Sequence, residues 1–213
     1  MRKEAKAVDQ DAFARTLEAV RLLPVIRTGS ADAAVALGQE LLAAGLTFLE
    51  VSWTTPEAAR AVKALASVGA TVGAGTILDP DMADEAVGAG AEFLVAPTFS
   101  PEVARFAQNR KLAYLPGVFT PEESLRAYRA GFVLQKLFPA ATAGPQHLKA
   151  LREVFGGVRY VPTGGIGWHD APAWIAAGAV AVGMGSAIRR GGGSIRENLQ
   201  AFQAAVHAAR EAG

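Results

Sequence analysis

A short apolar or β-branched run followed by an Ala-rich amphipathic stretch recurs eight times along this chain, at a period of about 20 to 25 residues. Parallel strands cannot be joined by hairpins, so alternating β and α units call for a parallel sheet with helical crossovers. Eight units at that spacing favour closure into a barrel; an open doubly wound sheet is the structural competitor.

The units can be followed residue by residue. After an amphipathic stretch predicted as a leading helix over about residues 10–22 comes Pro24-Val25-Ile26-Arg27, then a helix with Ser30 as N-cap and Gly45 as its stop. Thr47-Phe48-Leu49-Glu50-Val51 precedes a helix opened by Thr55-Pro56-Glu57, with proline in the first turn. Thr71-Val72-Gly73-Ala74-Gly75-Thr76 leads to a helix entered through Asp79-Pro80-Asp81. Phe93-Leu94-Val95-Ala96-Pro97 precedes one starting near Ser100-Pro101, and Leu112-Ala113-Tyr114-Leu115-Pro116 one starting near Thr120-Pro121. The run 132–138 precedes a helix near Pro145, and Arg159-Tyr160-Val161-Pro162 one near Trp168. Val180-Ala181-Val182-Gly183 leads through a Gly-rich loop to a terminal helix from about Ser194. Strands apolar on both parities suit a sheet covered outside and filled inside. With no linker-like tract between units, the expected architecture is one α/β domain over 1–213: a (β/α)8 TIM barrel over about 24–213 with an extra N-terminal helix.

Composition narrows the function classes. A hydrophobic fraction of 51% in 213 residues supplies a large core. Lys+Arg of 21 against Asp+Glu of 20 leaves a net charge of +1 with no basic stripe, which argues against nucleic acid as a partner. The absence of cysteine removes disulfides, thiolate catalysis and thiolate-bound zinc together. The start, MRKEAKAVDQ, is charged without a signal-type apolar core, and no apolar run approaches the roughly 18 residues of a membrane span. A soluble, cytoplasmic protein with no membrane partner is expected. His147, His169 and His207 have no ligand spacing to one another and read as surface residues, so no metal is expected.

In a barrel of this kind the chemistry sits at the C-terminal strand ends. Those ends present Arg27, Glu50, Thr76, Pro97, Lys136, then Thr163-Gly164-Gly165 and Gly183-Met184-Gly185-Ser186. Lys136 lies in an otherwise apolar strand. A buried ammonium is costly, so burial favours the neutral amine, which can add to a ketone as a Schiff-base nucleophile. The structural reading is a lysine that snorkels to solvent or pairs with Glu50. Glu50, at the tip of another buried strand, suits general acid–base work or a salt bridge. The two glycine loops, at the seventh and eighth strand ends, suit a phosphate, or else serve tight turns only. Gly183-Met184-Gly185 follows the last strand with no acidic residue ending a further one, so it is no dinucleotide fingerprint and no cofactor is expected.

These residues resemble the 2-keto-3-deoxy-6-phosphogluconate (KDPG) aldolase family, which includes 4-hydroxy-2-oxoglutarate (KHG) aldolases. Leu49-Glu50-Val51, Val72-Gly73-Ala74-Gly75-Thr76, Tyr114-Leu115-Pro116-Gly117-Val118, Lys136-Leu137-Phe138-Pro139 and Pro162-Thr163-Gly164-Gly165 stand in family order over nearly the whole chain. The resemblance implies a class I aldolase, a carbon–carbon lyase that needs no cofactor or metal. Its partners would be a small 2-keto acid and a phosphorylated aldehyde, and its assembly a homotrimer. It further implies Lys136 as the imine former, Glu50 as the proton shuttle, Thr76 near the pyruvate carboxylate, and Gly164, Gly165 and Ser186 on the phosphate. Many members carry an arginine four residues after the glutamate to hold that carboxylate. Thr54 stands there in this chain, and Arg27 is the candidate replacement. The competing functions are a phosphate-sugar epimerase-type barrel and a non-catalytic phosphometabolite-binding barrel.

Overall fold

The computed structural model describes residues 7–211. The stretch 1–6, on which the leader expectation partly rests, lies outside the described residues. Helix α1 (Gln10–Val20) is capped by Asp9, whose Oδ1 accepts from the Ala12 N–H at 2.7 Å. It ends at Arg21 in the left-handed region, φ 63°, and strand β1 (Leu22–Ile26) begins at once. The helix stops short of the expected residue 22 because Leu22 already pairs with Val182 in the sheet.

The remaining elements alternate as predicted: α2 (Ala31–Ala43), β2 (Phe48–Ser52), α3 (Ala58–Ser67), β3 (Thr71–Gly75), α4 (Pro80–Gly88), β4 (Phe93–Val95), α5 (Pro101–Asn109). Then come β5 (Ala113–Leu115), β6 (Gly117–Val118), α6 (Pro121–Arg129), β7 (Leu134–Leu137), α7 (Gly144–Val154), β8 (Arg159–Pro162), α8 (Ala171–Ala176), β9 (Val182–Met184) and α9 (Ile195–Glu211). Three helices start with the same device. Asp79, Ser100 and Thr120 each accept a backbone N–H with the side chain, and each is followed by proline at the first helical position. Helix α3 departs from this pattern. Pro56 does not lie in its first turn: Thr55 closes a turn onto the Ser52 carbonyl at 3.0 Å, Glu57 takes φ 55°, and the helix begins at Ala58. The Thr55 hydroxyl accepts from the Thr28 N–H at 3.3 Å, so it joins two loops instead of capping a helix.

All strand pairs are parallel. Six strands run in the order β5-β4-β3-β2-β1-β9 and three in the order β6-β7-β8, giving a curled sheet with helices on its outside. The fifth predicted run, Leu112 to Pro116, contains β5, and a further strand, β6, follows it beyond Pro116, which has no N–H to continue the ladder. The Pro116 carbonyl accepts from the Lys136 N–H at 2.8 Å and hands the pairing from β4 to β7. An isolated bridge links Thr163, just past β8, to Gly183 of β9.

Side chains pointing out from the sheet pack under the helices, with Leu49, Val51, Val72 and Leu94 among them. Those pointing in form a second cluster, in which Leu23, Phe48, Phe93, Leu115, Leu134 and Val161 meet Phe13 and Leu17 of α1. Phe48 and Phe93 stack at 4.5 Å between ring centroids, and Phe13 lies 4.8 Å from Phe93. The leading helix therefore plugs the N-terminal end of the sheet's interior, which confines the polar inner residues to the opposite end. Gln10 and Val8 fasten it, since Gln10 Oε1 accepts from the Tyr114 N–H at 3.0 Å and the Val8 carbonyl accepts from Ala113 at 2.7 Å. Among the described residues no helix is long and apolar enough to cross a membrane.

Truncating a fully buried phenylalanine typically costs about 3–5 kcal/mol. Phe13→Ala is therefore expected to lower unfolding stability by about that amount in urea titrations; a loss below about 1 kcal/mol would show that α1 is not part of the core.

Candidate active site

Glu50 sits in the middle of β2, not at its tip, with Val25 of β1 and Gly73 of β3 as register partners. Its side chain points into the sheet interior and is 1% exposed. Two glycines on the inner face of β3 make the room. A Cβ at Gly73 would lie 2.1 Å from the Phe93 ring, and one at Gly75 would lie 1.9 Å from Glu50 Oε1. The block Val72-Gly73-Ala74-Gly75 thus has a steric cause: one missing side chain admits the aromatic plug, and the next admits the carboxylate above it.

Lys136 comes from the other side of the interior. It pairs with Gly117 of β6 and Val161 of β8, is 5% exposed, and brings Nζ to 4.0 Å from Glu50 Oε1. Its ammonium also lies 5.2 Å from the centroid of the Phe138 ring, within cation–π range. The alternate residue, Gln135, points outward into a buried network. The Ser124 hydroxyl lies 2.8 Å from Gln135 Oε1 and 2.6 Å from the Tyr160 hydroxyl, and Gln135 Nε2 donates to the carbonyls of Ser124 and Phe132. A buried polar network satisfied in one register only fixes β7 against slippage, and with it the face on which Lys136 emerges.

Burial pushes the Glu50 carboxyl above the ordinary carboxylate range, and the nearby charges of Lys136 and Arg27 pull the other way without overcoming it. The balance is physically reasonable. A unit charge pair at 4 Å returns about 4 kcal/mol at an effective dielectric of 20, whereas desolvation costs several kcal/mol per ion. Glu50 Oε2 is buried with no hydrogen-bond partner among the described residues. A carboxyl oxygen left in that state, with a raised proton affinity, is prepared to receive a proton or a donor from a ligand.

Lys136 opens into a cavity of about 240 Å³. Its walls bring together Arg27, Thr163, the Gly164-Gly165 turn and the Gly185-Ser186 turn. Gly164 and Gly165 have φ of 98° and 77°, and a Cβ on Gly165 would meet the Ala141 side chain at 2.5 Å, so conformation and space both require glycine. Thr76 and Pro97 do not line this cavity. Thr76, at φ 64°, belongs to a hydroxyl chain in which Ser52 Oγ lies 3.0 Å from Thr76 Oγ1 and 2.8 Å from Thr54 Oγ1. Pro97 presents its backbone to Gly117, whose Cβ would lie 2.1 Å from the Pro97 carbonyl.

Sequence reasoning missed five wall residues; Val25, Ile166 and Ala187 only complete the apolar lining, whereas Phe138 and Arg190 bear on the chemistry. Phe138 ends the apolar run that carries Lys136 and could be marked by that proximity. Arg190 follows Arg189 in a loop, and no pattern says which arginine turns inward. In the structure Arg189 is tied to Glu40 of α2 by hydrogen bonds of 3.1 and 2.6 Å, whereas Arg190 Nη2 donates to Ser186 Oγ at 2.9 Å.

A larger groove of about 670 Å³ runs between the end of α2 and the start of α9, but Glu40 and Arg189 neutralise each other there and no inner-face residue reaches it. The histidines are spread out. His147 Nε2 lies 2.6 Å from the Phe119 carbonyl, and His169 is fully exposed beside Asp170. No group of three or more metal-ligating side chains is gathered among the described residues.

A buried lysine and glutamate, joined to a cavity walled by two glycine turns, are the features on which comparison with known proteins bears. The family model described as KDPG and KHG aldolase matches residues 13–204. The 2-dehydro-3-deoxy-6-phosphogalactonate aldolase of Escherichia coli K12 is 31% identical over 195 residues, 90% of this chain and 95% of that one. The crystal structure of the 4-hydroxy-2-oxoglutarate/2-dehydro-3-deoxyphosphogluconate aldolase from TTHB1 is 39% identical, with a TM-score of 0.79 over 91% of this chain and 98% of that one. The KDPG aldolase of Legionella pneumophila, solved with pyruvate captured as a covalent carbinolamine, is 30% identical, with a TM-score of 0.75 over 90% and 97%. With a family model spanning nearly its whole length and relatives of this identity and coverage, the chain belongs to the KDPG and KHG aldolase family of carbon–carbon lyases.

Proposed function

We propose that this protein is a class I aldolase that cleaves 2-dehydro-3-deoxy-6-phosphogluconate to pyruvate and glyceraldehyde 3-phosphate, with 4-hydroxy-2-oxoglutarate as a second substrate giving pyruvate and glyoxylate. The observation that carries the reading is the approach of Lys136 Nζ to 4.0 Å from the buried Glu50, with Lys136 on the wall of a cavity that the pair of glycine turns also lines. In this reading the Lys136 amine adds to the C2 carbonyl to form a carbinolamine, and loss of water gives an iminium that draws electrons from C3. Glu50, directly or through water, takes the C4 hydroxyl proton; the C3–C4 bond breaks and the aldehyde leaves. The enamine then takes a proton at C3, and hydrolysis of the iminium frees pyruvate and the amine. The raised proton affinity of Glu50 suits a group that must both accept and return a proton.

The reading extends to the whole molecule as one (β/α)8 barrel domain led by α1. Its eightfold closure is supported by the Thr163–Gly183 bridge between the two sheet segments and by the exchange of partners at Pro116. A cytoplasmic homotrimer is part of the same proposal, by likeness to the family. For the substrate carboxylate we assign Arg27, with Thr76 and Pro97 on the neighbouring rim; what supports Arg27 is its place on the cavity wall and the pull of its charge on Glu50. Thr163, Gly164, Gly165, Gly185 and Ser186 are assigned to the phosphorylated end.

Four outcomes test the proposal. Pyruvate with borohydride should add mass irreversibly at Lys136 and nowhere in Lys136→Met, which should also lose cleavage; a label on Lys63, Lys111 or Lys149, or none at all, would overturn the imine and favour an epimerase-type or merely binding barrel. Glu50→Gln should slow turnover by roughly 10²- to 10⁴-fold while keeping its near-UV circular dichroism. In the wild type the acid limb of kcat/KM should fall above the pH at which an ordinary glutamate protonates, because the proton that burial retains on Glu50 disables the base. An unchanged rate in Glu50→Gln, or a limb at the ordinary position, would remove Glu50 from the mechanism. Arg27→Met should raise the KM for the keto acid with little change in inhibition by inorganic phosphate; the reverse pattern would move Arg27 to the phosphorylated end.

A further inference from the structure

Two arginines, Arg27 and Arg190, stand on the cavity wall, and the substrate of the aldolase reading has two anionic ends. Arg27 stands on the side of Glu50, where its charge is felt by the carboxyl. Arg190 shares the same cavity wall with the Gly164-Gly165 and Gly185-Ser186 turns. Among the described residues Arg190 has no carboxylate partner, and its guanidinium is held by Ser186 Oγ at 2.9 Å. The neighbouring Arg189 shows what compensation looks like in the same loop: two hydrogen bonds to Glu40 turn it away from the cavity. An arginine left unneutralised at the mouth of a site, preset by a hydroxyl that is itself a candidate ligand, is arranged for a multiply charged anion.

We propose that Arg190 is the residue by which this enzyme selects phosphorylated over unphosphorylated hydroxy-keto acids, through a charge-assisted contact with the phosphate of a phosphomonoester. The proposal rests on the aldolase reading for its substrate and on the cavity geometry for its anion. The planar guanidinium offers donors that the glycine turns, as backbone, cannot supply in charged form. A phosphate dianion in the cavity would draw the guanidinium inward while Ser186 keeps it in register. A substrate that ends in an unphosphorylated hydroxyl has nothing to gain from this charge, so the discrimination is carried in kcat/KM for the phosphorylated compound alone. Because Arg190 is exposed, salt should weaken the discrimination.

The decisive comparison is between 2-dehydro-3-deoxy-6-phosphogluconate and the same acid without its phosphate, with wild type, Arg190→Gln, Arg190→Lys and Arg189→Gln. The ratio of the two kcat/KM values is expected to fall about 10- to 100-fold in Arg190→Gln, the span of one charge-assisted hydrogen bond, with partial recovery in Arg190→Lys and a ratio near wild type in Arg189→Gln. Calorimetric titration with inorganic phosphate should show a matching loss of affinity in Arg190→Gln. An unchanged ratio, or an equal fall in Arg189→Gln, would overturn the assignment. Should the wild type release pyruvate from neither compound, the aldolase reading fails and the phosphate titration alone decides. Weaker binding in Arg190→Gln would then uphold Arg190 as the anion-binding residue, and equal binding would overturn it.

Discussion

Holding a lysine and a glutamate 4.0 Å apart inside an otherwise apolar interior costs free energy, and much of the surrounding structure exists to keep them there. Neither residue can retreat to solvent. Glu50 is mid-strand with a register partner on each side, and Lys136 is fixed by its own strand neighbours and by the network behind Gln135. A pair of this kind adds little to stability, since desolvation consumes what the charges return. It survives because the apolar packing on both sides of the sheet is large enough to carry the deficit, as protein sites commonly require.

The interior is divided along its axis. At the N-terminal end Phe13, Phe48 and Phe93 form an aromatic plug that excludes water. Immediately above it the inner face turns to Glu50, Lys136 and Thr163, all buried. The boundary is sharp because β3 carries glycine at two successive inward positions, Gly73 and Gly75, one filled by the Phe93 ring and the other by the Glu50 carboxylate. Depth below the polar layer and openness above it are therefore set by the same short strand. Of the pair, Lys136 is the member that lines the cavity.

Much of this was legible in the sequence, for identifiable reasons. The alternation of units, the N-caps followed by proline, and the inward lysine all follow from local patterns that the final packing does not oppose. Where tertiary pairing intervenes, local patterns fail. The leading helix ends early because Leu22 is needed as a strand partner, α3 starts late because Thr55 is engaged by the Thr28 N–H, and an unforeseen strand, β6, follows the fifth run because the Pro116 carbonyl serves a different neighbour from that of Leu115. Glu50 looked like a strand tip, but β2 continues to Ser52, whose partner is Gly75. Arg190 was illegible for another reason. Two adjacent arginines are equivalent in sequence until Glu40, far away in the chain, takes one of them.

The end of β2 shows how a site can be rebuilt around a single departure. With Thr54 where the family resemblance leads one to expect an arginine, the rim beside Glu50 carries a row of hydroxyls. Ser52, fully buried, touches both Thr54 and Thr76 with its oxygen, and each of the three can donate or accept. Thr76 is held at φ 64°, a conformation that a β-branched residue adopts only where surrounding contacts impose it, at a cost of order 1–3 kcal/mol. The packing of Ile77, whose N–H reaches the Val95 carbonyl at 3.1 Å, and the contact with Ser52 supply that restraint. Nothing in the core needs a strained threonine there, since Gly75 already provides the steric relief for Glu50. The strain instead orients a hydroxyl at the rim of the polar layer, one strand away from Glu50. Hydroxyls arranged in this way can shift protons along the chain to suit either a carboxylate or a water, which a fixed guanidinium cannot do.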